Sequence, residues 1–488
     1  MNVPKRSSVD DQAALRTGGV SASPTPTFGS EASAIWSSTG EARSSPLLLL
    51  QIFVWMIVGL PARLVVGAIG SFGSPASLVG IICFALWAVS AAQPGSLART
   101  VWPVRSAALV LAMPTMVSYG VMHLHSNPAD EVNGSDRGLL FLIVWSGVAL
   151  LAAEGLRGTH EMIRLLRTLT AAVAFASAVA ITQTRLGFDL TTRMAQIPGL
   201  TVAGDLESVL SRSGFRRPAG TATHPIELGC VLAVLLGFAI VLAVHDHEWS
   251  RWRRWTALAV IAVGIPSSIS RSGIIGAAIA LVFWWAGADR LNRRRTQVAL
   301  LGFGVLVFVS TPGLLGTLKN WFAGWSTDES ISTRTDDYPV VARFIRNSPW
   351  IGRGPSTYLP KFRILDNQWL LSMIEVGLLG ALGLAAYLLI GGILGNLARS
   401  ASTDPLVRGI GQAMMGASVV AIVSSASFDS FSFPMFPGIW AAILGMSGLM
   451  YGCVRDGVYR SSPATNEPVR SRMVAQRPAR RRAGRRAT

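Results

Sequence analysis

Twelve runs of apolar residues follow one another along the chain from Pro46 to Cys453, and each is long enough to be read as a helix rather than a strand. They cover about residues 47–67, 76–92, 104–121, 138–153, 165–185, 224–244, 255–270, 272–288, 298–315, 367–394, 408–427 and 435–453. Runs of about 20 apolar residues match the thickness of a bilayer's hydrocarbon core. The pattern therefore predicts an all-α polytopic membrane protein of about twelve transmembrane helices. The seventh and eighth runs are separated only by a tight turn near Ser270 and Arg271. Residues 1–45 are rich in Ser, Thr, Gly, Ala and Pro and show no apolar period, so they read as a disordered tail. They do not read as a secretory signal, because the first apolar run begins only at Pro46. Residues 46–454 form the predicted transmembrane domain, and residues 455–488 read as a second disordered tail. Two connectors, about 186–223 and about 316–365, are too long for simple turns. The second lies between predicted helices nine and ten.

Composition narrows this reading. Of 488 residues, 50% are hydrophobic and only 14% charged. A soluble domain carries about 25% charged residues. A soluble enzyme, a coiled coil and a disordered chain are all excluded. The net charge of +17 is unevenly spread. Every second short connector is basic: Arg99 and Arg105; Arg157, Arg164 and Arg167; Arg251, Arg253 and Arg254; Arg290 and Arg293 to Arg295; Arg399 and Arg408. The positive-inside rule puts those connectors in the cytoplasm. An even number of spans then puts both termini there, in the cell (plasma or inner) membrane. The tail from Arg455 onward holds ten Arg against Asp456 and Glu467 and reads as a topology anchor that touches anionic membrane lipids. No folded nucleic-acid-binding module accompanies it, so no nucleic acid is expected as a partner. Cys83, Cys230 and Cys453 lie in apolar runs without metal-type spacing, and no metal site is expected.

Candidate chemistry sits where the charge rule is broken, on the predicted outer face. Arg212, Arg216 and Arg217 crowd just ahead of His224-Pro225, where a membrane helix is expected to start. Guanidinium groups beside a helix N-terminus form an anion site. Ser267-Ser268-Ile269-Ser270-Arg271-Ser272-Gly273 places another arginine at an outer turn. An arginine at that depth needs a partner or a ligand, and the hydroxyls around it suit either role. The long outer loop brings Arg334, Asp336, Asp337, Arg343, Arg346 and Arg353, with Tyr338, Trp350 and Tyr358. It closes on Asp366-Asn367-Gln368-Trp369-Leu370, followed by Glu375 and Gly377. Asp366 and Asn367 are both good helix caps. Asp366 is equally placed to accept a proton from an attacking hydroxyl, which needs a carboxylate close to the acceptor. Arginines suit a pyrophosphate, aromatics and carboxylates suit sugar rings, and a polyprenyl chain would need an apolar groove. Together they point to a polyprenyl-pyrophosphate-linked oligosaccharide.

Four of these stretches resemble the motifs of one family, the O-antigen ligase and polymerase superfamily. Arg217-Pro218-Ala219-Gly220-Thr221 with His224-Pro225 is similar to its Arg-x-x-Gly-Thr…His-Pro-Asn motif. Ser268-Ile269-Ser270-Arg271-Ser272-Gly273 resembles its Ser-x-Ser-Arg motif, and Pro349-Trp350-Ile351-Gly352-Arg353-Gly354-Pro355 its glycine-rich loop motif. Asp366-Asn367-Gln368-Trp369-Leu370 with Glu375 and Gly377 resembles its His/Asp-Asn-x-hydrophobic-Leu…Glu-x-Gly motif. The resemblance covers roughly residues 200–400. It implies a GT-C-like inverting glycosyltransferase that needs neither metal nor other cofactor. Such an enzyme moves a glycan from undecaprenyl pyrophosphate to an acceptor hydroxyl. By position, Arg217 and Arg271 would hold the pyrophosphate and Asp366 would assist the acceptor. Arg212, Arg216, His224, Ser270, Arg334, Arg353, Asn367, Gln368 and Glu375 are the expected substrate-binding residues. Where the family's ligases carry His, this chain has Asp366. Pro225-Ile226-Glu227 departs from the usual Pro-Asn, and the membrane-embedded Glu227 is expected to pair with an arginine. Polymerisation of surface polysaccharide repeats is the leading expectation, with other polysaccharide assembly or export proteins as partners. Transfer of a finished glycan to a lipid or protein, and transport of a lipid-linked sugar, are the alternatives.

Overall fold

The computed structural model describes residues 46–67, 73–93, 102–203, 209–212, 215–288, 293–294, 296–298, 301–305 and 329–456. Side chains of 209–216 and 329–337 fall outside that description, as do both tails and most of the predicted run 298–315.

Among the described residues, helices stand at eleven of the twelve predicted runs, and in the ninth residues 301–305 are helical too. The helices are α1 (Pro46–Val54), α2 (Pro75–Ala92), α3 (Trp102–His123), α4 (Ala129–Glu154), α5 (Thr159–Arg185), a short α6 (Leu190–Met194), α7 (Pro225–His245), α8 (Arg251–Ser267) and α9 (Arg271–Gly287). Further along come α10 (Glu329–Asn347), α11 (Gln368–Glu375), α12 (Gly377–Ala401), α13 (Pro405–Ser425) and α14 (Met435–Arg455). Eight of these, α2 to α5, α7 and α12 to α14, are long and apolar enough to cross a membrane. The expectation of twelve such helices is thus met in part, and the differences have local causes. The first run does not stay α-helical to residue 67: it passes into a π-turn at Trp55–Gly59 and then a strand, β1 (Leu64–Val66). The tenth run breaks into α11 and α12 at Gly377, whose φ of +73° no helix interior tolerates. The connector 186–223 holds α6 and strands β2 (Leu200–Val202), β3 (Val209–Arg212) and β4 (Phe215–Pro218). The loop 316–365 holds α10.

The helices α7 and α14 form the centre of the bundle. Nearly every α7 residue from Pro225 to Ala243 is buried, which is the behaviour of a helix that is apolar all round. The helix α7 packs on α8, α9 and α13, while α14 packs on α4 and α12. Between membrane helices the association rests on close van der Waals contact and small residues, since lipid is as apolar as leucine. A Cβ added at Gly411 of α13 would lie 2.4 Å from the Gly395 carbonyl oxygen of α12, so the two backbones touch there.

At one end of the bundle, ion pairs tie helix termini that the charge pattern assigns to the same side. Arg105 at the start of α3 meets Glu154 at the end of α4 at 2.7 Å. Arg167 in the first turns of α5 meets Asp246 just past α7 at 2.7 Å. The opposite end carries both two-stranded sheets. In the first, β1 pairs antiparallel with β2, Leu64 opposite Val202; in the second, β3 pairs with β4, Leu210 opposite Arg217.

Candidate functional site

The stretch around Arg217 is pinned from three directions. The Thr221 hydroxyl donates to the Val58 carbonyl at 2.6 Å, and the Ala62 amide donates to the Thr221 carbonyl at 3.1 Å. Gln183 of α5 bonds both the amide and the carbonyl of Gly220, at 2.9 and 3.2 Å. Gly220 has φ of +61°, and a Cβ there would meet the Ala176 carbonyl oxygen at 2.6 Å. The glycine is required by both conformation and space. Arg217 itself is buried, at 7% exposure.

Next along the chain, His224 caps α7, its Nδ1 accepting the Ile226 amide at 3.2 Å. Burial, and then the charges of Arg217 and Arg63, push His224 down to about 4. It is therefore neutral at physiological pH, with its proton on Nε2 as a donor. Arg63 was not legible as a site residue: it lies in a run read as a continuous helix. The π-turn and β1 carry it to the Arg217 side.

The second motif joins the first through glycines. A Cβ at Gly273 of α9 would lie 2.8 Å from the Gly229 Cα of α7, and one at Gly229 would lie 2.8 Å from the Ser270 Cβ. The turn before Arg271 therefore packs one helical turn below His224. Ser270 is buried at 1% exposure and caps α9, its hydroxyl accepting the Gly273 amide at 3.2 Å. Arg271 is the first residue of α9, and Arg217 precedes α7 by eight positions. Arg271, in the first turn of α9, opposes that helix's dipole, and an anion beside it offsets this.

The carboxylate side is built around α11. Asn367, not Asp366, is its N-cap: Oδ1 accepts the Trp369 and Leu370 amides at 3.0 and 3.2 Å. Asp366 stands just outside the helix and is exposed. Gln368 holds the connector between α13 and α14. Its amide donates to the Phe428 carbonyl at 3.2 Å, and its Oε1 accepts the Phe431 amide at 2.8 Å. That connector presents Asp429. Burial pushes Asp429 up to about 6, against hydrogen bonds from its own backbone and Ser432, and the neighbouring Asp366 adds to the rise. Asp429 is absent from the sequence-predicted site, although an acid among Phe428, Phe431 and Phe433 in an outer turn was a usable signal.

This connector also reaches the basic side. The Phe433 ring centroid is 6.0 Å from that of His224. Among the described residues Glu227 pairs with no arginine, where the sequence led one to expect such a pair. It is fully buried; Oε2 accepts the Thr223 amide at 2.9 Å, and Oε1 the Met435 and Phe436 amides at 2.8 and 3.3 Å. Three otherwise orphaned N–H groups, two of them at the start of α14, account for this carboxylate.

Arg353 and Glu375 are accounted for within the fold as well. The glycine-rich loop docks edge-on against the α11–α12 break. Arg353 and Gly354 amides donate to the Ile374 and Glu375 carbonyls at 3.1 and 2.9 Å, and the Leu378 amide to the Pro349 carbonyl at 2.9 Å. A Cβ at Gly352 would lie 2.3 Å from the Glu375 backbone, and one at Gly377 2.3 Å from that of Trp350. The glycines of both motifs serve this interlock. Arg353 meets Glu131 of α4 at 2.5 Å and lies 4.7 Å from the Phe362 ring. Glu375 is buried and accepts the Tyr358 amide at 3.2 Å. Beside it lies a half-open cleft, about 660 Å³ with its open mouth included, lined by α3, α4, the end of the glycine-rich loop, α11, the start of α12 and the Phe431 connector. The side chains of Arg212, Arg216 and Arg334 lie outside the described residues.

The chain is a polytopic, largely helical membrane protein, with eight helices long and apolar enough to cross a membrane among the described residues. Residues 256–385 match the family described as O-antigen ligase, and this segment is similar to the O-antigen ligase/polymerase superfamily. The segment runs from α8 into α12 and includes Arg271, the glycine-rich loop, Asp366 and Glu375. Arg217 and Asp429 lie outside it. No curated protein matches the chain.

Proposed function

We propose that the protein transfers a glycan from polyprenyl (undecaprenyl) pyrophosphate to an acceptor hydroxyl at the extracytoplasmic face, polymerising surface polysaccharide repeats. The observation that carries this reading is the connector 428–433, which touches His224 beside Arg217 on one side and is bonded by Gln368 beside Asp366 on the other. A cationic group and a carboxylate pair are thereby held at one end of one bundle. Arg217 and Arg271, with Arg63 and the Nε2–H of His224, hold the pyrophosphate. The acceptor oxygen attacks the anomeric carbon from the opposite face. As that C–O bond forms, the bond to the pyrophosphate oxygen breaks, the configuration inverts, and the hydroxyl proton passes to Asp366. Asp429 shares its field. Stabilising the departing pyrophosphate is the main catalytic contribution, with the arginines doing what a divalent cation does elsewhere. In this reading both termini face the cytoplasm, and the fold is of the GT-C kind.

The test is turnover of a polyprenyl-pyrophosphate oligosaccharide by the full chain in nanodiscs, with product lengths resolved on a gel. The expected result is a ladder for the wild type, with rates reduced about 100-fold or more in Arg217→Ala and Arg271→Ala. Transfer of a single finished glycan to one discrete acceptor, without a ladder, refutes polymerisation. Unchanged rates in Arg217→Ala, Arg271→Ala and Asp366→Asn refute the catalytic reading altogether.

A further inference from the structure

We infer that Arg137 is the centre of a second phosphate-binding site, on the outer part of α4, which holds the phosphate of a lipid. The inference goes beyond the glycan-transfer reading and does not depend on it.

The charges around this part of α4 are matched with one exception. Asp130 meets Lys361 at 2.7 Å. The buried Glu131 meets Arg353, and Lys361 at 3.3 Å. Asp136 accepts the Tyr119 hydroxyl at 2.8 Å and lies 3.8 Å from His123 Nε2. Arg137 is the exception. Among the described residues its guanidinium makes no hydrogen bond and no ion pair. It is exposed and stands over the Phe141 ring, 5.2 Å from the centroid. Phe141 in turn stacks on Trp145, with centroids 5.7 Å apart and planes 12° apart. The guanidinium thus ends an aromatic column that holds it in place. A ring face engages the charge and leaves the N–H donors unused. Five donors in a rigid fork, with every carboxylate of the first turns of α4 already engaged, form a receptor for an anion from outside the chain.

The place of Arg137 on the helix selects the anion. Gly138 to Ala153 include no charged residue, so Arg137 is the last charge before the stretch of α4 that suits hydrocarbon. A cation at that border meets the layer of lipid phosphates. A guanidinium edge pairs with a phosphate through two parallel hydrogen bonds, which an ammonium cannot match. An arginine that merely snorkels keeps its side chain mobile. Here the ring column fixes the fork, so a lipid held by it should survive extraction into detergent. The phosphate belongs either to a phospholipid headgroup or to a polyprenyl carrier. The site is distinct from the one proposed at Arg217 and Arg271, which precede α7 and open α9. Phe431 packs edge-on at 5.2 Å against Trp145, and its connector carries Phe433 to 6.0 Å from His224, so this connector stands between the two regions.

The experiment is native mass spectrometry of the full chain in dodecylmaltoside, in an Arg217→Ala/Arg271→Ala background that removes the pyrophosphate site proposed above. The probes are phosphatidylglycerol and undecaprenyl phosphate, with diacylglycerol and undecaprenol as their uncharged counterparts. The expected result is one retained molecule of a phosphate-bearing probe and no comparable retention of its counterpart. Adding Arg137→Ala weakens that retention about tenfold. Arg137→Lys, which keeps the charge and loses the fork, weakens it about threefold. Arg343→Ala, which removes an exposed arginine of α10, leaves it unchanged. Retention of phosphatidylglycerol alone assigns the phosphate to a headgroup, and retention of undecaprenyl phosphate alone assigns it to a polyprenyl carrier. Retention of both assigns the site to the phosphate itself, and each of these three results supports it. The inference is overturned if Arg137→Ala retains every probe as its parent does, or if the uncharged counterparts are retained equally. It is also overturned if Arg343→Ala weakens retention as much as Arg137→Ala. If the alanine variant does not fold, Arg137→Gln replaces it under the same criteria. Undecaprenyl phosphate retention that is lost in Arg217→Ala/Arg271→Ala and indifferent to Arg137→Ala refutes this site and leaves the transferase reading. Retention that is lost only with Arg137 leaves this site and removes phosphate binding from Arg217 and Arg271.

Discussion

Glu227 is the buried carboxylate on which the site's geometry hangs, and its removal gives a sharp expectation. It accepts the amides of Thr223 at 2.9 Å, Met435 at 2.8 Å and Phe436 at 3.3 Å, and it is fully shielded from solvent. A hydrogen bond to a charged acceptor contributes about 1.5–3 kcal/mol. The two short bonds carry most of this, and the bond to Phe436 is longer and weaker. Glu227→Ala leaves three donors without an acceptor and costs about 4–6 kcal/mol. Glu227→Gln keeps the Oε1 pair but turns an NH2 group toward the Thr223 N–H, donor against donor, and costs about 2–3 kcal/mol. The assay is unfolding in dodecylmaltoside micelles with increasing SDS, followed by tryptophan fluorescence. A local readout is maleimide labelling of Cys230, three residues further along α7 and fully buried. Labelling should accelerate in the order wild type, Glu227→Gln, Glu227→Ala. An alanine variant that unfolds within about 0.5 kcal/mol of wild type would falsify the claim that this carboxylate joins α7 to α14.

Two further outcomes follow from the same geometry. Gly352→Ala places a Cβ 2.3 Å from the Glu375 backbone at φ of +77° and should separate the glycine-rich loop from the α11–α12 break. The conformational penalty alone is about 1–2 kcal/mol, so protease cleavage within 349–365 should rise well above wild type. Asp429 has a pKa raised to about 6 from 3.8, so its ionised form is the one the fold disfavours. The cost is absent below about 3.8 and fully present above about 6, so stability declines as pH rises through that window. Asp429→Asn should flatten this part of the unfolding-versus-pH curve, and an unchanged slope would remove Asp429 as its source.

The sequence by itself determined the membrane class, the approximate position of eleven helices and the motif residues around Arg217, Arg271 and Asp366. Apolar runs of bilayer length and short basic connectors are local properties, and every residue in them reports on itself. The glycine-rich loop was also legible as a unit, but its purpose was not. Arg353 was expected to bind substrate, from its place in the glycine-rich loop motif that the family resemblance marks. The fold instead gives it Glu131, a residue more than two hundred positions away in sequence. Glu227 shows the same limit, since its partners are backbone amides that no side-chain pattern announces. Asp366 and Asn367 were equal candidates for the cap until the backbone assigned it to Asn367 and left Asp366 outside the helix. The π-turn that brings Arg63 toward Arg217, the break at Gly377, and the return of the 428–433 connector across both halves of the site are set by packing between distant segments. Tertiary structure alone decides these, because a carboxylate or guanidinium has several adequate partners by chemistry, and only the three-dimensional path of the chain selects one.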